Sequence, residues 1–322
     1  MYDRGGVVSA GNIGKRRVQQ FSGLFAGYRS ANDGGDGWRA RARDPVQTRF
    51  AASVGCGGSQ PANCLRGLSA AKLIEAQPSG AAGVLPILDG IVLTLPPDAA
   101  FASGRFNRVP VISGSNHDEY RFFVAEAELA SGKALTAAAY PEAVYSFFGL
   151  AGPPPDNAFA DAVIALYPLS MDPTSPSIEL GALGTDTVFA CSARNADRLL
   201  SGFVPTHAYE FHDETAPSFF PPLSFPLGDS HFIEVQYLFD LEALGITPTF
   251  TPDQQALSDT MIGYWTQFAK GGNPNFEGAP TWSEYSAGGS SAFESLVAPT
   301  PVAESDTSFD SDHKCTTFWD TF

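Results

Sequence analysis

No stretch of this 322-residue chain reaches the roughly 18 uninterrupted apolar residues that a bilayer-spanning helix needs. No apolar run of signal-peptide length follows Met1-Tyr2-Asp3-Arg4 either. Basic residues are scarce. The 19 Lys and Arg face 35 Asp and Glu, for a net charge of −16. That balance argues against nucleic acid as a partner, because phosphate binding needs clustered cations. The four cysteines, Cys56, Cys64, Cys191 and Cys315, contain no Cys-x-x-Cys pair, so the common zinc and dithiol spacings are absent. There is no Asn-x-Ser/Thr glycosylation signal and no internal repeat.

What is present describes a large globular chain. Apolar residues make up 43% and aromatics 12%, enough for a sizeable core in one or two domains. Charge is unevenly spread. The first 50 residues carry nine Lys/Arg against four Asp/Glu, which leaves −21 for the remainder. This break separates residues 1–47, rich in Arg and Gly and expected to be poorly ordered, from a region over residues 48–322. The Gly/Ser/Pro-rich loop between Cys56 and Cys64 suits a small disulfide loop. Four cysteines alone allow three connectivities, and buried free thiols are the competing reading.

Along the chain, Val46–Val54 reads as a helix ending at Gly55, and Leu65–Gln77 as another. Leu88–Pro96 reads as a turn followed by extended chain. Val109–Gly114 is a short β-branched run that predicts a buried strand. Helices are expected over residues 120–150, 157–167 and 183–200. Thr206–Phe211 alternates like a strand, with His207 and His212 reading as surface or packing residues rather than ligands. Pro252–Lys270 predicts a helix with Leu257, Met261, Ile262, Trp265 and Phe268 on one stripe, closed by Gly271-Gly272-Asn273-Pro274.

Two polar clusters interrupt this scaffold. Gly228-Asp229-Ser230-His231 places an imidazole on a tight turn before an apolar run, a position from which it could take and return a proton. Gly114-Ser115-Asn116-His117-Asp118-Glu119 follows the expected strand, where open α/β sheets carry their sites. The pair suggests a catalytic acid and base.

Several motifs in order then resemble one family, the type-B carboxylesterases, the cholinesterase and fungal-lipase branch of the α/β hydrolases. They include Gly55-Cys56 with Cys64-Leu65-Arg66, Asp89-Gly90, Gly104-Arg105-Phe106, Val109–Ile112, Gly114–Glu119, Asp186–Cys191, Gly228–His231, Trp265–Asn275 and His313–Trp319. The resemblance runs from about Phe50 to the end and is to the C-terminal part of that family. It implies an α/β-hydrolase fold, here lacking the first strands and the nucleophile elbow. It also implies disulfides Cys56–Cys64 and Cys191–Cys315, and with them an oxidising, secreted or periplasmic destination. Glu119 would orient His231 as general base in a Ser-Glu-His mechanism, with no metal or organic cofactor. The substrate would be a small carboxylic ester or lipid, and the helix ending near Phe268 could support a homodimer.

The serine of that mechanism belongs on a G-x-S-x-G elbow, and the sequence contains none. Val7-Val8-Ser9-Ala10-Gly11 comes nearest, making Ser9 the candidate nucleophile. Its Val7 stands where the strained turn needs glycine. Gly5-Gly6 is the only trace of an oxyanion loop. The sequence therefore also supports a second class, a catalytically inactive cholinesterase-like binding or adhesion module, and a third, a truncated product without function.

Overall fold

The structure, a computed structural model, describes residues 50–76, 88, 90–150 and 158–321. The described chain divides at Pro96 into two compact units.

In the first unit, residues 50–53 are helical and Gly55 closes the turn at φ 84°. The first four residues of the helix expected over Val46–Val54 lie outside the described residues. The single helix expected over Leu65–Gln77 is instead two, α1 (Pro61–Arg66) and α2 (Ala70–Glu75). Gly67 ends the first, and the Ser69 hydroxyl accepts the Lys72 N–H at 3.3 Å to start the second. A serine N-cap inside an apolar pattern breaks the helix there. Cys56 and Cys64 are bridged, and Ala51, Val54 and Cys56 form a small core with Leu65 and Leu68 against it. Residues 90–92 and 95 are bends, and residues 90–96 form no strand.

The second unit is built on a four-stranded sheet in the order β1 (Val111–Asn116), β2 (Thr206–Phe211), β3 (Phe293–Leu296), β4 (Val302–Glu304). The first two pairings are parallel and the last antiparallel. A parallel pair needs a long crossover, and helices carry much of it among the described residues between 121 and 200. β1 begins two residues later than expected, so Gly114, Ser115 and Asn116 belong to the strand itself. Val111–Gly114 are half-buried rather than buried, because among the described residues β1 pairs with β2 alone. β2 is central and five of its six residues are buried. Ala208 and Phe293 join one core cluster while Phe211 and Leu296 join the other. Residues three apart on a strand face opposite sides, so the two clusters cover the two faces.

The helices follow local chemistry. The region 120–150 is α3 (Arg121–Ser131) and α4 (Tyr140–Phe147), separated at Gly132, which is left-handed at φ 65°. The helix expected from residue 183 starts earlier, as α5 (Ser175–Gly184) with a proline in its first turn. It continues through a π-helical turn (Thr185–Ala190) into α6 (Cys191–Leu200). The long helix α7 (Pro252–Gly271) carries a Thr251/Gln254 capping box. Leu257, Met261 and Tyr264 are its buried stripe, whereas Ile262 is 43% exposed. The C-terminal helix α8 (Asp306–His313), which sequence periodicity missed, is tied back to α6. The Cys191–Cys315 bridge and a two-pronged Arg194–Asp306 pair (2.9 and 3.0 Å) make that tie. Among the described residues no helix is long and apolar enough to cross a membrane.

This packing has measurable consequences. The Cys191–Cys315 bridge spans 124 residues of sequence. Chain-entropy reasoning expects Cys191→Ala/Cys315→Ala to lower the unfolding free energy by about 4–5 kcal/mol, read from urea denaturation. Asp197 is fully buried, and neither carboxylate oxygen has a well-formed hydrogen bond. Burial pushes its pKa from 3.8 up to about 7, against the opposing pull of the Ser113 hydroxyl. An acid raised on folding stabilises fully below its unfolded pKa and loses that contribution as pH rises towards its folded one. Asp197→Asn should therefore gain on wild type between pH 4 and 7, by up to about 4 kcal/mol at 1.36 kcal/mol per unit. Urea midpoints at pH 4.5 and 8 would show it.

Candidate active site

The end of β1 holds the site. At Asn116 the strand gives way to a turn over residues 117–120 that feeds α3. The Tyr120 N–H is received by the Thr185 hydroxyl of the π-helical turn at 3.0 Å. Glu119 is carried on this turn and is 6% exposed. Its Oε1 accepts the Asn116 backbone N–H at 2.9 Å. Its Oε2 lies 2.6 Å from His231 Nδ1, and its carbonyl accepts the His231 N–H at 3.2 Å.

His231 sits on the second turn. Gly228 there has φ 62°, and a Cβ on it would overlap Asp118 Oδ2 and Arg121 Nη1. Only glycine lets the two turns approach this closely. Phe232 is also left-handed, at φ 75°, an uncommon conformation for a bulky residue and a local source of strain next to the histidine. Asn116 ties this turn to the first, donating from Nδ2 to the Ser230 carbonyl at 2.9 Å and to Glu234 Oε2 at 2.5 Å.

The electrostatics follow from these contacts. A carboxylate only accepts, so Nδ1 carries the hydrogen in the Glu119 contact and Nε2 keeps its lone pair in the neutral ring. The hydrogen bond to Glu119 raises the His231 pKa above 6.5, with burial working the other way. The side chain is 43% exposed, and among the described residues Nε2 has no hydrogen-bond partner. Burial and the nearby Glu119 charge raise the Glu234 carboxyl, while its Asn116 hydrogen bond resists. The rings of Phe122, Phe123 and Phe189 surround the imidazole with centroids 5.7, 5.5 and 5.4 Å away. The result is a half-open imidazole, oriented by a buried carboxylate and walled by apolar rings.

A profile of the Carboxylesterase family matches residues 38–308. This chain belongs to that family. Among its curated relatives is an acylcarnitine hydrolase of Rattus norvegicus, 29% identical over 74% of this chain and 43% of the relative. A cocaine esterase of Homo sapiens is 27% identical over 68% and 39%. A carboxylesterase 1C of Mus musculus is 28% identical over 87% and 47%. The chain thus spans less than half the length of these relatives. Membership carries the α/β-hydrolase fold, and the mixed sheet with its flanking helices is consistent with it.

In this member of the family the structure brings Glu119 and His231 together from positions 112 residues apart. Both disulfides are formed. Ser9, Gly5 and Gly6 lie outside the described residues. His207 is buried, with Nδ1 3.2 Å from the Ser283 carbonyl, while the His212 side chain is 35% exposed. Sequence reasoning missed the bridging role of Asn116 and the ring of Phe189. Asn116 lies inside the first motif, but nothing in its spacing announces a contact 114 residues away.

The Gly228 contact generates a prediction. Gly228→Ala should cost at least about 1–2 kcal/mol from its left-handed backbone alone, with the clash against Asp118 added. A thermal melt reads the loss.

Proposed function

We propose that this chain carries the acid–base machinery of a carboxylic-ester hydrolase, with Glu119 orienting His231 as general base. The observation that carries the reading is the 2.6 Å Nδ1 contact to a buried carboxylate, on an imidazole that is itself half-exposed. In that arrangement Nε2 takes the proton of a serine hydroxyl as the hydroxyl attacks the ester carbonyl. It then returns the proton to the departing alcohol, while Glu119 stabilises the imidazolium between the two steps. Family membership and the named esterase relatives support the ester as substrate class. The Phe122, Phe123 and Phe189 rings favour an apolar acyl or alcohol group beside the imidazole. Ser9 is the nucleophile the sequence offers. Lipid substrates, a homodimer and secretion remain part of the same proposal, the last supported by the two disulfides. The missing G-x-S-x-G string favours a second reading, a family member that binds without hydrolysing.

Labelling the folded chain with a fluorophosphonate, followed by mass mapping of the adduct, separates the two. Hydrolysis predicts one labelled serine, with labelling slowed about 100-fold or more in His231→Ala, in line with general-base contributions. A folded chain that forms no adduct, or labels equally without His231, contradicts it and leaves the binding reading.

A further inference from the structure

We propose that His117, His212 and Asp229 form a site for a divalent transition-metal ion, with zinc the ion best matched to the donors. Each of the three offers a ligand atom, and these atoms lie within 4.8 Å of one another. Asp229 supplies the second, independent observation. It is fully buried, neither of its carboxylate oxygens has a well-formed hydrogen bond, and its one polar side-chain neighbour of note is another acid, Asp118. Two buried acids, Asp118 and Asp229, stand side by side here, and a cation would relieve that crowding of negative charge. Arg121, which packs beside Gly228, is already engaged, its Nη1 contacting Asp118 Oδ2 at 2.6 Å. Two more buried hydroxyls without partners lie close by in sequence, Ser115 Oγ at the end of β1 and Ser230 Oγ next to Asp229.

The donor set chooses the ion. Two imidazoles and one carboxylate suit zinc and its first-row neighbours, whereas magnesium and calcium want oxygen. Asp118 Oδ1, 3.4 Å from His117 Nδ1, stands where a carboxylate commonly steadies a metal-binding histidine. One movement is required. The His117 and His212 rings are stacked, 4.2 Å between centroids and 9° from parallel, so their in-plane lone pairs run side by side. His212 must turn to converge on the ion. Its ring is loosely held, because its nearest carboxylates among the described residues, Glu210 and Glu214, are 3.8 and 3.9 Å away. Its 35% exposure also gives the ion an entry path and a place for a solvent ligand. The neighbouring group His117, Glu210 and His313 is a poorer candidate. Both His313 nitrogens are already hydrogen-bonded, to Asp186 and Glu210 at 2.7 Å each.

An ion here would work as a clip. His117 precedes Glu119 by two residues, Asp229 precedes His231 by two, and His212 directly follows β2. The ion would join the two turns and the central strand without touching His231, so the site stands whether or not the chain hydrolyses esters.

The test uses the full chain stripped with EDTA. Calorimetric titration with zinc chloride should give one saturable equivalent and a raised melting temperature. Cobalt(II) should give visible absorption bands. His212→Ala, at a half-open position, should keep the metal-free melting temperature of wild type while weakening zinc about 10-fold or more. Asp229→Asn should weaken it likewise. Failure of the stripped, folded chain to bind one equivalent overturns the site, as does zinc binding of unchanged affinity in both His212→Ala and Asp229→Asn.

Discussion

Asn116 is the residue on which the geometry of the candidate site depends. It is the last residue of β1, 1% exposed, and it is fixed in register opposite Phe211 of β2. From that anchored position its backbone N–H holds one oxygen of Glu119, and its side chain holds the Ser230 carbonyl and Glu234. The sheet therefore sets both turns through one residue. A carboxylate with one oxygen already fixed can present the other to an imidazole with little loss of freedom, which is how a precise contact arises on loop residues.

Around this centre the fold supplies close approach and support. Gly228 removes a side chain where Asp118 needs the space. The π-helical turn offers Thr185 to the first turn and Phe189 to the imidazole. Behind the strands, His313 lies between Asp186 and Glu210. Burial opposes its charge, but the two carboxylates raise its pKa to about 10. This buried ion cluster links α8, the π-helical turn and β2. The Cys191–Cys315 bridge and the Arg194–Asp306 pair hold the same helix. The C-terminal segment is thus joined to the elements that position the site, not merely appended to them.

Much of this is legible in the sequence because it rests on local signals. The α7 helix begins and ends where Thr251, Pro252 and Gly272 say it should, and β2 falls on its alternating run. The two polar motifs mark the stretches that hold Glu119 and His231, the family resemblance picks Glu119 as the acid, and the fold places the two within a hydrogen bond. The misses have physical causes. Ser69 caps a new helix inside an apolar pattern, and sequence periodicity cannot register that interruption. β3 and β4 are four and three residues long, too short to show a period, and are stabilised by pairing rather than propensity. Tyr264 rather than Ile262 faces the core, a choice made by tertiary packing within one helical turn. The contacts of Asn116 are largely tertiary and have no local signature.

Everything proposed for the site requires Glu119 to fix the hydrogen of His231 on Nδ1 and leave Nε2 bare. The most direct measurement is long-range proton–nitrogen NMR of the imidazole in metal-stripped protein, at a pH where the ring is neutral. Neutral histidine in water favours the Nε2–H tautomer, so a Glu119-bound ring should show the opposite form, with Nδ1 protonated. Glu119→Ala should return it to the ordinary form. An Nε2–H tautomer in the wild-type chain, or a tautomer unchanged by Glu119→Ala, would contradict this arrangement.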